Sequence, residues 1–117
     1  MTELIAVLST GQGTWAEVAA LIKGQPWEKV FLITNEFGKR FVVPQNGSLV
    51  VVNPDIGVER LRDEIVQKLR GKIGGFEVAL NMVSGSGKEH MAVVGALMKL
   101  GVGFRLVGMT EKGFQEL

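Results

Sequence analysis

The residues Leu4-Ile5-Ala6-Val7-Leu8 run apolar without a break, and Lys29-Val30-Phe31-Leu32-Ile33-Thr34 is nearly as continuous. A strand with one wet face alternates polar and apolar side chains, whereas a strand covered on both faces reads as an unbroken apolar run. Both segments therefore suit buried strands of a parallel sheet. Strands are also expected at Leu49 to Val52, Phe76 to Val83 and Phe104 to Val107. Between them, Thr14 is expected to cap a helix, with Glu17 three residues on as in a capping box. That helix runs to about Lys23, with Trp15, Val18, Ala19 and Ile22 inward and Gly24 as its stop. Val58, Leu61, Ile65, Leu69 and Ile73 recur at helical spacing among charged residues. Lys88 to Leu100 makes a further helix, which Gly101 stops. Strands alternating with helices through short connections predict an α/β fold, a Rossmann-like three-layer sandwich with a mostly parallel central sheet.

Two segments carry weaker periodicity. Arg40 to Val43 is read as a short strand, hairpinned through Pro44-Gln45-Asn46-Gly47 to the run Leu49 to Val52. Met109 to Leu117 reads as a tail or a short closing helix. Met82 and Met98 are assigned to the core, and Trp15 and Trp27 to core or interface.

A chain of 117 residues suits one domain spanning 1–117, and folding one this long removes roughly two thirds of its unfolded surface from water. Thirteen Lys and Arg against twelve Asp and Glu leave a net charge of +1, so duplex nucleic acid is not an expected partner. There is no cysteine and one histidine, which excludes disulfides, thiolate nucleophiles and a multi-His metal site within one chain. No apolar run approaches the roughly twenty residues of a membrane span. The start, Met1-Thr2-Glu3, is acidic and lacks the basic region of a secretory signal, so a cytoplasmic protein with no membrane partner is expected.

Any chemistry then rests on hydroxyls, amides, Lys, Arg and carboxylates. In an open parallel sheet, ligands bind outside the carboxyl ends of the strands, where helix amino termini offer unpaired N–H groups to anions. Two loops fit that geometry: Ser9-Thr10-Gly11-Gln12-Gly13-Thr14 and Ser84-Gly85-Ser86-Gly87-Lys88. Hydroxyls beside glycines let a backbone approach a phosphate, and Lys88 adds a cation. The plainer alternative is that each loop only caps its helix.

Gly11-Gln12-Gly13-Thr14-Trp15-Ala16 satisfies the dinucleotide fingerprint with Ala in its last position, and Glu36 stands where a ribose hydroxyl could be accepted. A chain this short holds little more than one mononucleotide half of such a fold. A Walker A loop is excluded, because Met82 and Glu89 occupy positions that need Gly and Ser or Thr. His90, in the first turn of its helix, is a candidate for ligand contact or for packing. Arg60, Arg62, Lys68, Arg70 and Lys72 share their helix with Glu59, Asp63 and Glu64 and read as a solvated face.

The strand-loop Leu8-Ser9-Thr10-Gly11 and the segment from Leu80-Asn81-Met82-Val83 through Ser84-Gly85-Ser86-Gly87-Lys88-Glu89-His90-Met91-Ala92 resemble the CRISPR-associated Rossmann fold (CARF) domains, as does the Gly101-Val102-Gly103-Phe104-Arg105 that follows the helix. The likeness covers about residues 3 to 108 in element order. It implies a homodimer that binds a cyclic oligoadenylate across its two-fold axis without a cofactor, as a CRISPR-associated antiviral sensor or a metal-independent ring nuclease. Ser9, Thr10 and Gly11 match the first ligand loop, and Ser84, Gly85, Gly87 and Lys88 the second. Gln12, Gly13, Asn35, Glu36, Ser86 and His90 complete the expected ligand contacts. Cleavage would proceed by attack of a ribose 2′-hydroxyl on the adjacent phosphate, with Lys88 stabilising the phosphoryl charge and Ser9 or Thr10 orienting the nucleophile. The family commonly places a hydroxyl residue directly before the lysine, where this chain has Gly87, so binding and cleavage are separate expectations. Many such proteins also carry an effector domain, for which this chain has no residues left, so a separate effector protein is a further expected partner. The alternatives are a mononucleotide or dinucleotide-binding protein and a non-catalytic structural subunit.

Overall fold

A computed structural model describes residues 2–11 and 13–117. Six strands, β1 (Glu3–Leu8), β2 (Lys29–Thr34), β3 (Gly47–Val51), β4 (Glu77–Asn81), β5 (Gly103–Thr110) and β6 (Gly113–Glu116), form one sheet in the order β3-β2-β1-β4-β5-β6. All pairings are parallel except β5 with β6. Three α-helices, α1 (Thr14–Gly24), α2 (Val58–Leu69) and α3 (Gly87–Leu100), complete the α/β sandwich. None of the helices among the described residues is long and apolar enough to cross a membrane.

The two central strands explain their composition. Ile5, Val7, Val78 and Leu80 project to the face covered by α2 and α3, where Leu61, Ile65, Leu69, Val93 and Leu97 pack on them. Leu4, Ala6, Leu8 and Ala79 project to the other face, against Val18 and Leu21 of α1. Every residue of β1 is buried. With no wet face, the strand has no place for an alternating polar side chain except Glu3, whose carboxylate accepts from the amides of Gly74 and Gly75 at 2.9–3.0 Å.

Several expectations are corrected. Thr14 is the first helical residue and not the cap; Gly13, at φ 81°, is the N-cap and offers no side chain. A glycine takes that left-handed turn without cost, and the Thr14 hydroxyl is engaged elsewhere. Leu21 joins Val18 as the buried face of α1; Trp15 and Ile22 pack on the same core while half-buried, as expected, and Ala19 is half-buried. No hairpin joins residues 40–43 to β3. A 3-10 turn, Glu36–Arg40, begins a connection that leads back to a strand parallel to β2, and Val42 is 89% exposed. The turn chemistry of Pro44 and Gly47 is real, with Gly47 N donating to Pro44 O at 2.9 Å, but a turn does not specify which strand its neighbour pairs with.

Helix α2 ends at Leu69, so Ile73 packs on the core from the loop beyond it. Phe76 lies outside β4 and is 93% exposed. Met98 is also a surface residue, 72% exposed, on the side of α3 that faces away from the sheet; Met82 does pack on the core. The carboxyl-terminal segment is neither tail nor helix. It is β6, turned back at Gly113 with φ 90° so that Phe114 meets Trp27 edge-to-face at 5.8 Å.

Candidate functional site at the carboxyl rim

The strand order reverses at the centre of the sheet: from β1 the chain winds outward through β2 to β3, then returns to β4 on the other side of β1. Loops leaving two adjacent parallel strands toward opposite faces diverge there, and the crevice between them is the usual ligand position in such sheets. The loops after β1 and β4 flank this point, with α1 and α3 starting from them. The two segments singled out from sequence are therefore neighbours.

They are also bonded to each other. The Ser9 amide donates to Ser84 Oγ at 2.8 Å, the Ser84 hydroxyl donates to Thr10 O at 3.2 Å, and the Gly85 amide donates to the same carbonyl at 2.7 Å. The Thr14 hydroxyl lies 2.6 Å from Gly11 O and 3.0 Å from Ser84 Oγ. Trp15 Nε1 donates to Ser9 O at 2.8 Å and fixes the loop from the α1 side. Gly85 has φ 104°, and a Cβ there would stand 2.7 Å from Val7 Cγ1, so the close approach of the loops depends on glycine.

These contacts divide the candidate residues. Ser84 is fully buried and its hydroxyl is consumed by the latch. Ser86 is the N-cap of α3, its Oγ accepting from Glu89 N at 3.2 Å while Glu89 Oε1 accepts from Ser86 N at 2.8 Å. That reciprocal capping box lies in the second loop, not at Thr14 in the first. His90 Nε2 stands 2.8 Å from Ser84 O; a carbonyl only accepts, so this nitrogen carries the ring proton. Gln12 lies outside the described residues.

Several groups still face the rim. Thr10 is exposed. The first amides of α3, those of Gly87 and Lys88, have no intrahelical acceptor, and the positive end of the helix dipole points the same way. The Lys88 ammonium rests on Ile56 O at 3.0 Å, an exposed hydrogen bond that water or an anion can replace at little cost. Asn35 Nδ2 reaches Ser9 Oγ at 3.3 Å and ties the end of β2 to the first loop. Glu36 is exposed and pairs with Lys39 at 2.8 Å. Amides and a hydroxyl at this rim are groups that can hold anionic oxygen, with the Lys88 ammonium turned to Ile56 O. Among the described residues, no group of three or more His, Asp or Glu is arranged to hold a metal ion.

Sequence reasoning did not identify a cleft of about 830 Å³ at the same rim, between the ends of β2 and β3, lined by Asn35 and Glu36 together with Phe37, Asn53 and Asp55. A signal was present: Asn53-Pro54-Asp55 follows a parallel strand, which puts its polar groups at the carboxyl edge. No family model matches the chain, and no curated protein sequence matches it.

Proposed function

We propose that the chain binds a cyclic oligoadenylate at its carboxyl rim, as a homodimer with the ligand across the two-fold axis, acting as a sensor or a metal-independent ring nuclease. The observation that carries this reading is the Ser9–Ser84 latch at the point where strand order reverses. It holds Thr10 beside the loop that opens α3, and a phosphate at that helix amino terminus would be within reach of Lys88 once its ammonium leaves Ile56 O. The cyclic oligoadenylate itself, the dimer and a separate effector partner rest on the CARF resemblance.

Within this reading Ser84 and Ser86 shape the loops, and Thr10, Gly87 and Lys88 touch phosphate. In cleavage, a ribose 2′-hydroxyl gives its proton to solvent as its oxygen attacks the adjacent phosphorus, the bond to the 5′-oxygen breaks, and that oxygen takes a proton from solvent, leaving a 2′,3′-cyclic phosphate and a 5′-hydroxyl. Lys88, released from Ile56 O, stabilises the charge on the phosphoryl oxygens, and Thr10 orients the nucleophile. Ser9 is only 8% exposed, which favours Thr10 for that contact.

The test is incubation with cyclic tri-, tetra- and hexa-adenylate without added metal, followed by chromatography and measurement of the protein's mass in solution. Binding with intact ligand recovered identifies a sensor, and linear products identify a nuclease. No binding of any of the three rings overturns the proposal. A second reading, a mononucleotide-binding protein, is favoured by the cleft at the end of β2 beside Glu36; it predicts affinity for a linear nucleotide and none for the rings.

A further inference from the structure

The cleft between the ends of β2 and β3 begins where the latched loops end. Its near wall is Asn35, hydrogen-bonded to Ser9 Oγ at 3.3 Å. Adjacent strands lie about 4.8 Å apart, so the middle of the β2–β3 gap is about 10 Å from the middle of the β1–β4 gap, where the latched loops stand. A ribose together with its phosphate is needed to cover that distance.

The charge of the cleft differs in kind from that of the phosphate-facing crevice. Its two ammonium groups are already engaged, Lys39 with Glu36 at 2.8 Å and Lys68 with Val51 O and with Glu64 at 3.7 Å. Asp55 has no cationic partner among the described residues. Three carboxylates against two ammonium groups leave the lining with one negative charge. The unpaired Asp55 carboxylate in such a cleft can accept from hydroxyl and amine donors.

Its aromatic and amide groups are also held in place. Phe37 is 67% exposed, its backbone pinned at the start of the 3-10 turn by its amide donating to Asn35 Oδ1 at 2.9 Å, and the Arg40 guanidinium lies over its ring at 5.8 Å, so a base would stack on the other face. Asn53 Oδ1 accepts from Asp55 N at 3.0 Å, so the side chain's remaining polar group is its NH₂ donor. A π-face, an amide donor and an unpaired carboxylate are the groups that stack a base, bond a ring nitrogen and accept from a ribose diol.

We infer that this cleft is a nucleoside subsite: the base stacks on Phe37, Asn53 donates to it, and Asp55 accepts from the ribose hydroxyls. The assignment rests on the proposed function in that it takes the neighbouring junction as the phosphate end of the same ligand.

The test is calorimetric titration of the wild-type, Phe37→Ala and Asp55→Asn chains with adenosine, adenosine monophosphate and pyrophosphate. Phe37→Ala is expected to weaken adenosine and its monophosphate by about 5- to 150-fold, the range carried by one base–aromatic stack, and to leave pyrophosphate unchanged. Asp55→Asn is expected to weaken adenosine but not 2′,3′-dideoxyadenosine. Adenosine affinity unchanged in both variants, or no adenosine bound by the wild type, overturns the subsite. Cyclic tetra-adenylate bound equally by wild type and Phe37→Ala overturns the subsite and leaves the proposed function standing. Adenosine bound through Phe37 with no cyclic ring bound does the reverse.

Discussion

The Ser9 amide and the Ser84 hydroxyl, separated by 75 positions of sequence, meet at 2.8 Å and join the two loops that leave the central strands. Ser84 is fully buried, so this contact is made out of reach of solvent. The rim is thus built on a polar contact with no alternative partner in water.

Ser84→Ala should therefore leave the Ser9 amide without its acceptor. An unsatisfied buried donor costs about 1–3 kcal/mol, read as a lower urea midpoint at unchanged slope. Ligand affinity should fall as well, because the loops are held together by this hydroxyl. A Ser84→Ala chain as stable as wild type would show that the latch contributes nothing.

Lys88→Ala separates stability from chemistry. The side chain is exposed and bonded only to Ile56 O, so unfolding should shift by less than about 0.5 kcal/mol. Ring cleavage, if present, should slow by about 100- to 1,000-fold, the usual loss for a key electrostatic donor. Full cleavage and full affinity in this variant would remove Lys88 from the site.

Gly87→Ala distinguishes open space from reserved space. A Cβ at Gly87 meets nothing within 4 Å, and its φ lies outside the left-handed region. The substitution should hold stability constant or raise it by up to about 1 kcal/mol. Affinity for a cyclic oligoadenylate should nonetheless drop, since the methyl group would occupy the approach to the first amides of α3. Unaltered affinity in titration would mean that no phosphate sits there.

Gly38→Ala should be far more damaging, although Gly38 has no left-handed φ. Its Cβ would stand 1.7 Å from Thr34 Oγ1, and that hydroxyl is bonded to Leu8 O inside the sheet. Relief requires moving the 3-10 turn, at a cost of about 1–3 kcal/mol or more. Thermal denaturation checks the size, and the displaced turn should also reduce adenosine binding through Asn35 and Phe37.

Glu3→Ala tests the opposite end of the sheet. The carboxylate accepts from Gly74 and Gly75 at 2.9–3.0 Å and holds the approach to β4 against β1. Its loss should cost about 2 kcal/mol, within the range for hydrogen bonds to a charged group. Glu3→Gln, which keeps an acceptor oxygen, should recover most of that. Equal destabilisation by both would assign the effect to charge and not to the hydrogen bonds.

The elements read most securely from sequence are those whose burial is locally encoded. Leu4 to Leu8 and Val30 to Ile33 are apolar at every position because both faces are covered, and α2 repeats Leu61, Ile65 and Leu69 on one face of the helix. Gly101 ends α3 at φ 71° as its position after the last apolar residue suggested. Met98 and Phe76 misled because hydrophobic type sets a preference for burial, whereas geometry decides whether a face has a partner.

From its order of residues alone, the chain determined the alternation of strand and helix, the two polar glycine loops and the absence of cysteine chemistry. Each of these depends on interactions within a few residues. Tertiary structure decided that β3 runs parallel to β2, that Thr110 to Glu116 folds back as a hairpin, that Ser84 is a latch, and that Asn53 and Asp55 join Phe37 in one cleft. Those outcomes belong to pairings between distant segments, where the winning partner is the one that closes the most backbone hydrogen bonds and covers the most apolar surface at once, and no short stretch of sequence records that comparison.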